Sequence, residues 1–113
     1  MFTAEAQNLY FRTVRMRVTD WDRFRTAFEW LMEHMKETEG CASVLCYRSV
    51  KDPAAVCIVE YWTSPEAIAA SYARAGDLPW QFMERAGNPE FLDDAVWQQS
   101  DIAETAGKLT PTA

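Results

Sequence analysis

The sequence has little histidine, little glycine and no long apolar run, and each shortage argues against a class of function. It contains one His, His34, and four Gly among 113 residues. A single imidazole without a neighbouring carboxylate cluster argues against a metal site. No glycine-rich phosphate loop is present, so a nucleotide cofactor is not expected. No apolar run approaches the roughly 20 residues that span a bilayer, and we expect no membrane partner.

The sequence also has fewer basic residues than acidic ones. The formal net charge is -6 and the pI is about 4.7. An acidic surface repels phosphate backbones, so nucleic acid is not expected as a partner. The first residues lack a basic start followed by an apolar stretch, which argues against a signal peptide. We therefore expect a cytoplasmic protein.

The three cysteines are too few and too irregularly spaced for a disulfide framework or a redox motif. Cys41, Cys46 and Cys57 make an odd number, contain no C-x-x-C spacing and all lie in predicted strands. Such residues are typical of buried free thiols in a reducing compartment. A catalytic thiol needs a base nearby, and the only imidazole belongs to His34.

The pattern of apolar residues predicts alternating strands and helices. Residues 10–18 alternate between an apolar and a polar face, which is typical of a half-exposed strand. Thr19 and Asp20 start a helix that continues to about residue 39, with apolar residues at steps of three and four, and Gly40 ends it. The remaining predicted elements, in chain order, are strands at 42–49 and 55–62, helices at 65–74 and 79–85, a helical turn at 90–95 and a fourth strand within 95–104.

This order predicts an α+β fold of the ferredoxin-like βαββαβ type. It has an antiparallel four-stranded sheet with helices on one face. The strands at 42–49 and 55–62 are apolar on both faces, so we expect a second copy of the chain to cover the other face and form a homodimer. One domain at 9–104 would lie between a flexible leader at 1–8 and a flexible tail at 105–113.

Three short segments in order carry a resemblance to a known family. They are 39–41 (Glu-Gly-Cys), 48–53 (Arg-Ser-x-x-Asp-Pro) and 60–67 (Glu-Tyr-Trp-x-Ser-x-Glu-Ala). With the strands between them, they resemble the antibiotic biosynthesis monooxygenase superfamily over roughly residues 12–75. The resemblance implies a dimeric α+β barrel in which each subunit holds a pocket between its sheet and its helices. Members include cofactor-independent monooxygenases that oxidise anthrones and polycyclic phenols, while others degrade haem or act on quinols.

The chain departs from the family pattern at two places. Many members carry a His eight to ten residues after the pocket Trp, where this chain has Ala70, Ser71 and Tyr72. The polyketide oxygenases carry an Asn four residues before that Trp, where this chain has Ile58. Because haem-degrading members need the His as an axial ligand, haem degradation is not expected here.

The resemblance and the helical spacing together suggest the site residues. Trp62 occupies the position of the family's pocket Trp, and Tyr72 lies on the helix face that can point at the sheet. His34 is the only side chain with an ordinary pKa near neutrality and is a candidate general base. Arg85 is a candidate ligand for a substrate oxyanion. The further substrate-binding candidates are Phe28, Leu31 and Trp80.

Each of these residues also has a structural interpretation. Trp62 can be a core anchor and Tyr72 a packing residue, whereas His34 and Arg85 can be solvent-facing surface groups. Glu60 is expected to face away from Trp62 and to pair across the sheet with Arg48 or Arg15.

The expected activity is oxidation of a polycyclic aromatic, an anthrone- or phenol-type polyketide, to a quinone in secondary metabolism. Once deprotonated, such a substrate can pass an electron to O2 directly, so the protein needs only to bind, deprotonate and shield it. Aromatic residues make up 13% of the chain and can supply the walls for a flat ligand. Two alternatives remain open: a cyclase or isomerase acting on the same substrates, and a non-catalytic binding protein for aromatic metabolites.

Overall fold

The computed structural model describes residues 10–98, which form one antiparallel sheet with helices on one face. Strands β1 (Tyr10–Arg17), β2 (Cys41–Arg48), β3 (Ala55–Trp62) and β4 (Glu90–Gln98) are joined by helices α1 (Trp21–Met35), α2 (Pro65–Ala75) and α3 (Leu78–Arg85). The predicted leader at 1–8 and tail at 105–113 lie outside the described residues. No helix within 10–98 combines the length and apolarity needed to cross a membrane.

The strand order is β2-β3-β1-β4, and every neighbouring pair is antiparallel. This arrangement confirms the predicted ferredoxin-like α+β fold. Since successive side chains of a strand point to opposite faces, each strand contributes to a helix-covered face and to an open face. The central strand β3 is the most buried strand of the sheet, as its apolar sequence predicts.

The core lies between α1, α3 and the helix-covered face of the sheet. Phe24 and Ala27 of α1 are buried, and Phe24 packs edge-on against Phe82 of α3 with ring centroids 6.0 Å apart. The other buried residues of this core lie in β1 and β3 or directly after β1 and α3: Val14, Met16, Val18, Val56, Ile58 and Ala86. The apolar stripe of α1 therefore packs as its spacing predicts.

Side-chain caps fix the starts of the two longer helices. The Asp20 carboxylate accepts a hydrogen bond from the Arg23 backbone N–H at 3.1 Å, and the Ser64 hydroxyl accepts one from the Ala67 N–H at 3.0 Å. Each cap satisfies one of the backbone donors that a helix start leaves unpaired. The helix α1 ends at Met35, earlier than predicted, and turns carry the chain on to Gly40.

Two predictions for the last part of the fold need correction. Residues 90–95 form a strand rather than a helical turn, and the predicted fourth strand, which the structure describes as Glu90–Gln98, begins at Glu90 rather than within 95–104. Residues 99–104 lie outside the described part of the chain. The physical reason is a β-bulge: Phe91 pairs with Met16 and Asp93 with Arg15, which leaves Leu92 as an extra residue. A bulge breaks the period-two pattern that identifies a strand in sequence.

The expectation that the cysteines are buried is also wrong. Cys46 is exposed, and Cys41 and Cys57 are half-buried. Two of the three belong to β2, an edge strand that pairs only with β3 among the described strands. An edge strand of this kind remains open to solvent in a single chain, however apolar its sequence is.

Burial raises the pKa of Cys41 to about 11, with the charge of Glu60 as the second cause. Against an ordinary value of 9.0, this change lowers the thiolate fraction at pH 8 about 100-fold. In a Cys46→Ser/Cys57→Ser variant we therefore expect iodoacetamide to modify Cys41 about 100-fold more slowly than in the same chain unfolded in urea. The rate should rise as the pH approaches 11. Equal rates in the folded and unfolded chains at pH 8 would contradict this expectation.

Gly40 allows α2 to approach the start of β2. Its φ is +87°, and a Cβ at this position would overlap the Cβ of Ala67. We expect Gly40→Ala to lower the free energy of unfolding by about 2 kcal/mol, because the overlap adds to the cost of the positive φ. Gly87→Ala is the matched control: its φ is +82°, but its nearest atom would lie 3.5 Å away. In urea unfolding the control should lose about 1 kcal/mol, and equal losses would contradict the role of Ala67.

Candidate active site

A cavity of about 450 Å³ lies between the helix-covered face of the sheet and the three helices. Strands β1 and β3 supply its floor, and α1, α2 and α3 supply its walls. The floor residues are Arg12, Val14, Met16, Ile58, Glu60 and Trp62, and the main wall residues are Leu31, Met35, Tyr72, Leu78, Trp80 and Phe82. The lining is apolar except at one end, where the charged side chains of Arg12 and Glu60 meet.

Arg12 and Glu60 form an ion pair on the floor of this cavity. They stand opposite each other on β1 and β3, and the guanidinium Nη1 donates to Glu60 Oε2 at 3.2 Å. Only 18% of the Arg12 side chain and 10% of the Glu60 side chain are exposed. A second guanidinium nitrogen, Nη2, lies 3.5 Å from Asp94 on β4, at the limit of a hydrogen bond. The pair thus places both signs of charge next to an apolar surface.

Trp62 holds the second oxygen of the Glu60 carboxylate. Its indole Nε1–H donates to Glu60 Oε1 at 3.0 Å, and the residue is only 2% exposed. The indole N–H is therefore engaged within the protein. Trp62 is both a core residue and part of the cavity floor, so its position agrees with the core interpretation and with the pocket interpretation.

Tyr72 lies on α2 at the same end of the cavity. The guanidinium of Arg12 stacks over its ring, with Cζ 4.8 Å from the ring centroid. Such a cation–π contact stabilises the charge and fixes the plane of the guanidinium. Tyr72 itself is 46% exposed, so its ring forms part of the rim as well as the wall.

Four of the seven predicted site residues line this one cavity. Trp62 lies on its floor, Leu31 on α1, Tyr72 on α2 and Trp80 on α3. Trp80 is largely exposed, which places it at the entrance. The helical and strand spacings of the sequence were sufficient to bring these residues together.

The other three predicted site residues do not line the cavity. His34 is exposed, and its ring contacts Trp30, with Nδ1 3.0 Å from the Trp30 carbonyl oxygen. Arg85 stacks on the same Trp30 ring, with its guanidinium 4.3 Å from the ring centroid. Phe28 packs against Phe24 at the edge of the core. The structure therefore separates these residues from Trp62 and Tyr72.

The prediction that Glu60 faces away from Trp62 is wrong. The two residues are two positions apart on one strand, so their side chains share a face. For the same reason Glu60 pairs with Arg12, whereas Arg15 lies on the open face and pairs with Asp93 at 2.8 Å. Arg48 stacks instead over Trp21.

Arg12 is the site residue that sequence analysis missed. It continues the alternation of Val14 and Met16, so period two places it on the helix-covered face. A charged residue in register with an otherwise apolar face is a signal for a buried polar site. Within residues 10–98, no three His, Cys, Asp or Glu side chains come together as a metal site would require.

The fold resembles those of several solved structures at low sequence identity. A conserved protein from Methanosarcina mazei Go1 aligns with a TM-score of 0.70 at 12% identity, over 85% of this chain and 97% of that chain. SnoaB, a cofactor-independent oxygenase from Streptomyces nogalater, aligns with a TM-score of 0.67 at 14% identity, over 80% and 91% of the two chains. A monooxygenase from the gene ActVA-Orf6 of Streptomyces coelicolor, in complex with the ligand nanaomycin D, gives 0.62 at 15% identity, over 83% and 89%.

The similarity to these solved structures shows the fold. Comparison of the sequence with family models gives a more specific result. No curated protein matches the chain. The model of the antibiotic biosynthesis monooxygenases matches residues 13–75, more than half of the chain and the segment from β1 to the end of α2. The chain therefore belongs to the antibiotic biosynthesis monooxygenase family.

Proposed function

We propose that this protein is a cofactor-independent monooxygenase that oxidises a polycyclic aromatic, an anthrone- or phenol-type polyketide, to a quinone. The observation that carries the proposal is the cavity of about 450 Å³ with an apolar lining and one charged end. Ligand sites for molecules of a few fused rings have volumes of roughly 300–1,000 Å³ and a few convergent polar groups. Family membership supports the reaction class.

In this proposal the cavity walls bind the rings and its charged end binds an oxygen. Leu31 and Ile58 offer apolar surface to the rings, and Tyr72 and Trp80 offer aromatic surface at the rim. Trp62 acts by holding Glu60 in place, since its N–H is already engaged. Water exclusion by the apolar lining favours formation of a quinone over side reactions of the reduced aromatic.

Oxygen uptake by metal-stripped protein tests the proposal. Anthrones and naphthols would be supplied as a panel, and the quinone would be followed by its absorbance. We expect quinone formation that requires O2 and consumes it in proportion. Turnover without O2 would instead indicate a cyclase or isomerase. Binding measured by quenching of Trp fluorescence, without turnover, would indicate a binding protein for aromatic metabolites.

The proposal includes a homodimer formed through the open face of the sheet. Phe11 packs there against Tyr61 and Trp97, with ring centroids 5.7 and 6.3 Å apart. Leu45 and Tyr47 continue this face on β2 and are 44% and 52% exposed. An apolar face of this extent on a small domain is typical of an interface. A dimer would leave the cavity, on the opposite face of the sheet, accessible to substrate.

A charge on the open face should break this dimer. We expect Tyr47→Glu to convert a particle of twice the chain mass into a monomer, because a carboxylate within an apolar interface is costly to desolvate. Val50→Glu is the control, since Val50 lies in the loop after β2 and is 98% exposed. Light scattering coupled to gel filtration measures the mass. A wild-type monomer, or the same effect from both variants, would contradict the assignment of this face.

A cytoplasmic location is part of the same proposal. The three thiols are all free, as expected in a reducing compartment.

A further inference from the structure

The Arg12–Glu60 pair has features of a proton-transfer site in addition to those of a structural ion pair. Both side chains line the cavity, and both oxygens of Glu60 are held, one by Arg12 and one by Trp62. Glu60 is only 7% exposed. A buried ion pair is weak evidence for a stabilising role, because the cost of desolvating two charges offsets their attraction. The position of the Arg12–Glu60 pair at the end of the apolar cavity therefore needs another explanation.

One hydrogen-bond donor of Arg12 is unpaired within the described residues. The Nε–H is buried and has no acceptor among the described residues. Leaving such a donor unpaired is costly, and buried donors without a partner are rare. An oxygen of a bound ligand would satisfy it once the side chain turns this nearly inaccessible nitrogen towards the cavity, and a negatively charged oxygen would do so best because the hydrogen bond would then be charge-assisted.

A proton transfer to Glu60 conserves the number of charges in the cavity. Before the transfer the charges are the Arg12 guanidinium and the Glu60 carboxylate. When the O–H bond of a phenol or the C–H bond of an anthrone breaks, its proton binds a Glu60 oxygen and its electron pair stays on the ligand. The charges are then the guanidinium and a phenolate or enolate oxygen. No net charge is added to an apolar site, so the desolvation cost of a new unpaired ion is avoided.

We propose that Glu60 is the proton acceptor of this cavity and Arg12 the ligand for the resulting oxyanion, so that the site takes up neutral phenols or anthrones and holds them as anions. This inference rests on the proposed function, because it assumes that the cavity is the substrate site. It assigns to Glu60 the role that sequence analysis gave to His34, and to Arg12 the role that it gave to Arg85. Trp62 is then a positioning residue that orients the base.

The groups around Glu60 favour this assignment. Arg12 faces it from β1 and Trp62 from its own strand, Tyr72 of α2 contacts Arg12, and Asp94 of β4 lies beside the far guanidinium nitrogen. On the β2 side lies Cys41, whose pKa is raised by burial and, as the second cause, by the charge of Glu60.

Anaerobic absorption spectra test the inference without oxygen chemistry. A naphthol is neutral in water at pH 7, because phenol hydroxyls ionise near about pH 10. We expect the wild-type protein to bind it with the spectrum of the naphtholate anion. Glu60→Gln keeps an acceptor for the Trp62 N–H and should bind the naphthol in its neutral form. Glu29→Gln, the same change at an exposed position of α1, should behave as wild type. Circular dichroism confirms that each variant folds.

Oxygen uptake with the same variants separates this inference from the proposed function. We expect Glu60→Gln to lose about 10²–10⁴-fold in rate, the usual effect of removing a general base. A wild-type rate in Glu60→Gln, or a neutral spectrum of naphthol bound to the wild type, would overturn the inference and leave the oxygenase proposal standing. An anion spectrum that depends on Glu60, without oxygen uptake by any form, would overturn the oxygenase proposal and support the inference. Absence of binding across the panel would overturn both.

Discussion

Replacing Arg12 by methionine is expected to lower the free energy of unfolding by about 3 kcal/mol, because it leaves the Glu60 carboxylate buried without its partner. Loss of one member of a buried ion pair costs roughly 3–5 kcal/mol. We expect a loss at the lower end of this range because 18% of the Arg12 side chain remains exposed. The loss of the Arg12 stack over Tyr72 adds to the same effect. Urea unfolding at fixed protein concentration measures the change.

Removal of both charges should cost much less than removal of the Arg12 charge alone. We expect Arg12→Met/Glu60→Gln to recover most of the loss, because the glutamine is neutral and still accepts the Trp62 N–H. Glu60→Gln alone should cost only about 1 kcal/mol, since the Arg12 guanidinium still has Asp94 nearby. A double variant as unstable as the sum of the two single variants would show that the two side chains are not coupled in the folded state.

Replacing Trp62 by alanine is expected to cost about 4 kcal/mol, within the range of about 3–5 for a buried aromatic. The residue is 2% exposed and lies under the helices, so the substitution would leave a void next to the cavity. It also removes the donor to Glu60 Oε1. Trp62→Phe keeps most of the packing and should cost about 1–2 kcal/mol, mainly through the lost hydrogen bond.

Trp80→Ala provides the control for this pair. Trp80 also lines the cavity but is 76% exposed, so the substitution should change stability by less than about 0.5 kcal/mol. Equal losses for the two Trp→Ala variants would contradict the placement of Trp62 in the core. An unchanged stability in Trp62→Phe would contradict the role of the hydrogen bond from Trp62 to Glu60.

Local chemistry made much of the fold predictable from sequence. The caps at Asp20 and Ser64, the apolar stripe of α1 and the bounds of β3 follow from spacing and side-chain type within a few residues. The strand β4 was misplaced because its bulge at Leu92 interrupts the alternation, and because pairing with β1 decides its bounds. Such pairing depends on residues more than seventy positions away in sequence.

The site was predictable only in part, for two different reasons. The Arg12–Glu60 pair follows from period two along β1 and β3, so this signal was present in the sequence. The positions of His34 and Arg85 depend on how α1 and α3 rotate as they pack, which the spacing within each helix does not determine. The His34 ring contacts Trp30 and the Arg85 guanidinium stacks on it, so neither side chain reaches the sheet.

A crystal structure with a bound anthraquinone, which resembles the proposed product, would show where the substrate binds. We expect the rings to lie in the cavity between Ile58 and the rim formed by Tyr72 and Trp80. A carbonyl oxygen should then lie about 3 Å from a guanidinium nitrogen of Arg12. Rings bound on the surface beside Trp30 and Arg85, or on the open face of the sheet, would contradict this placement.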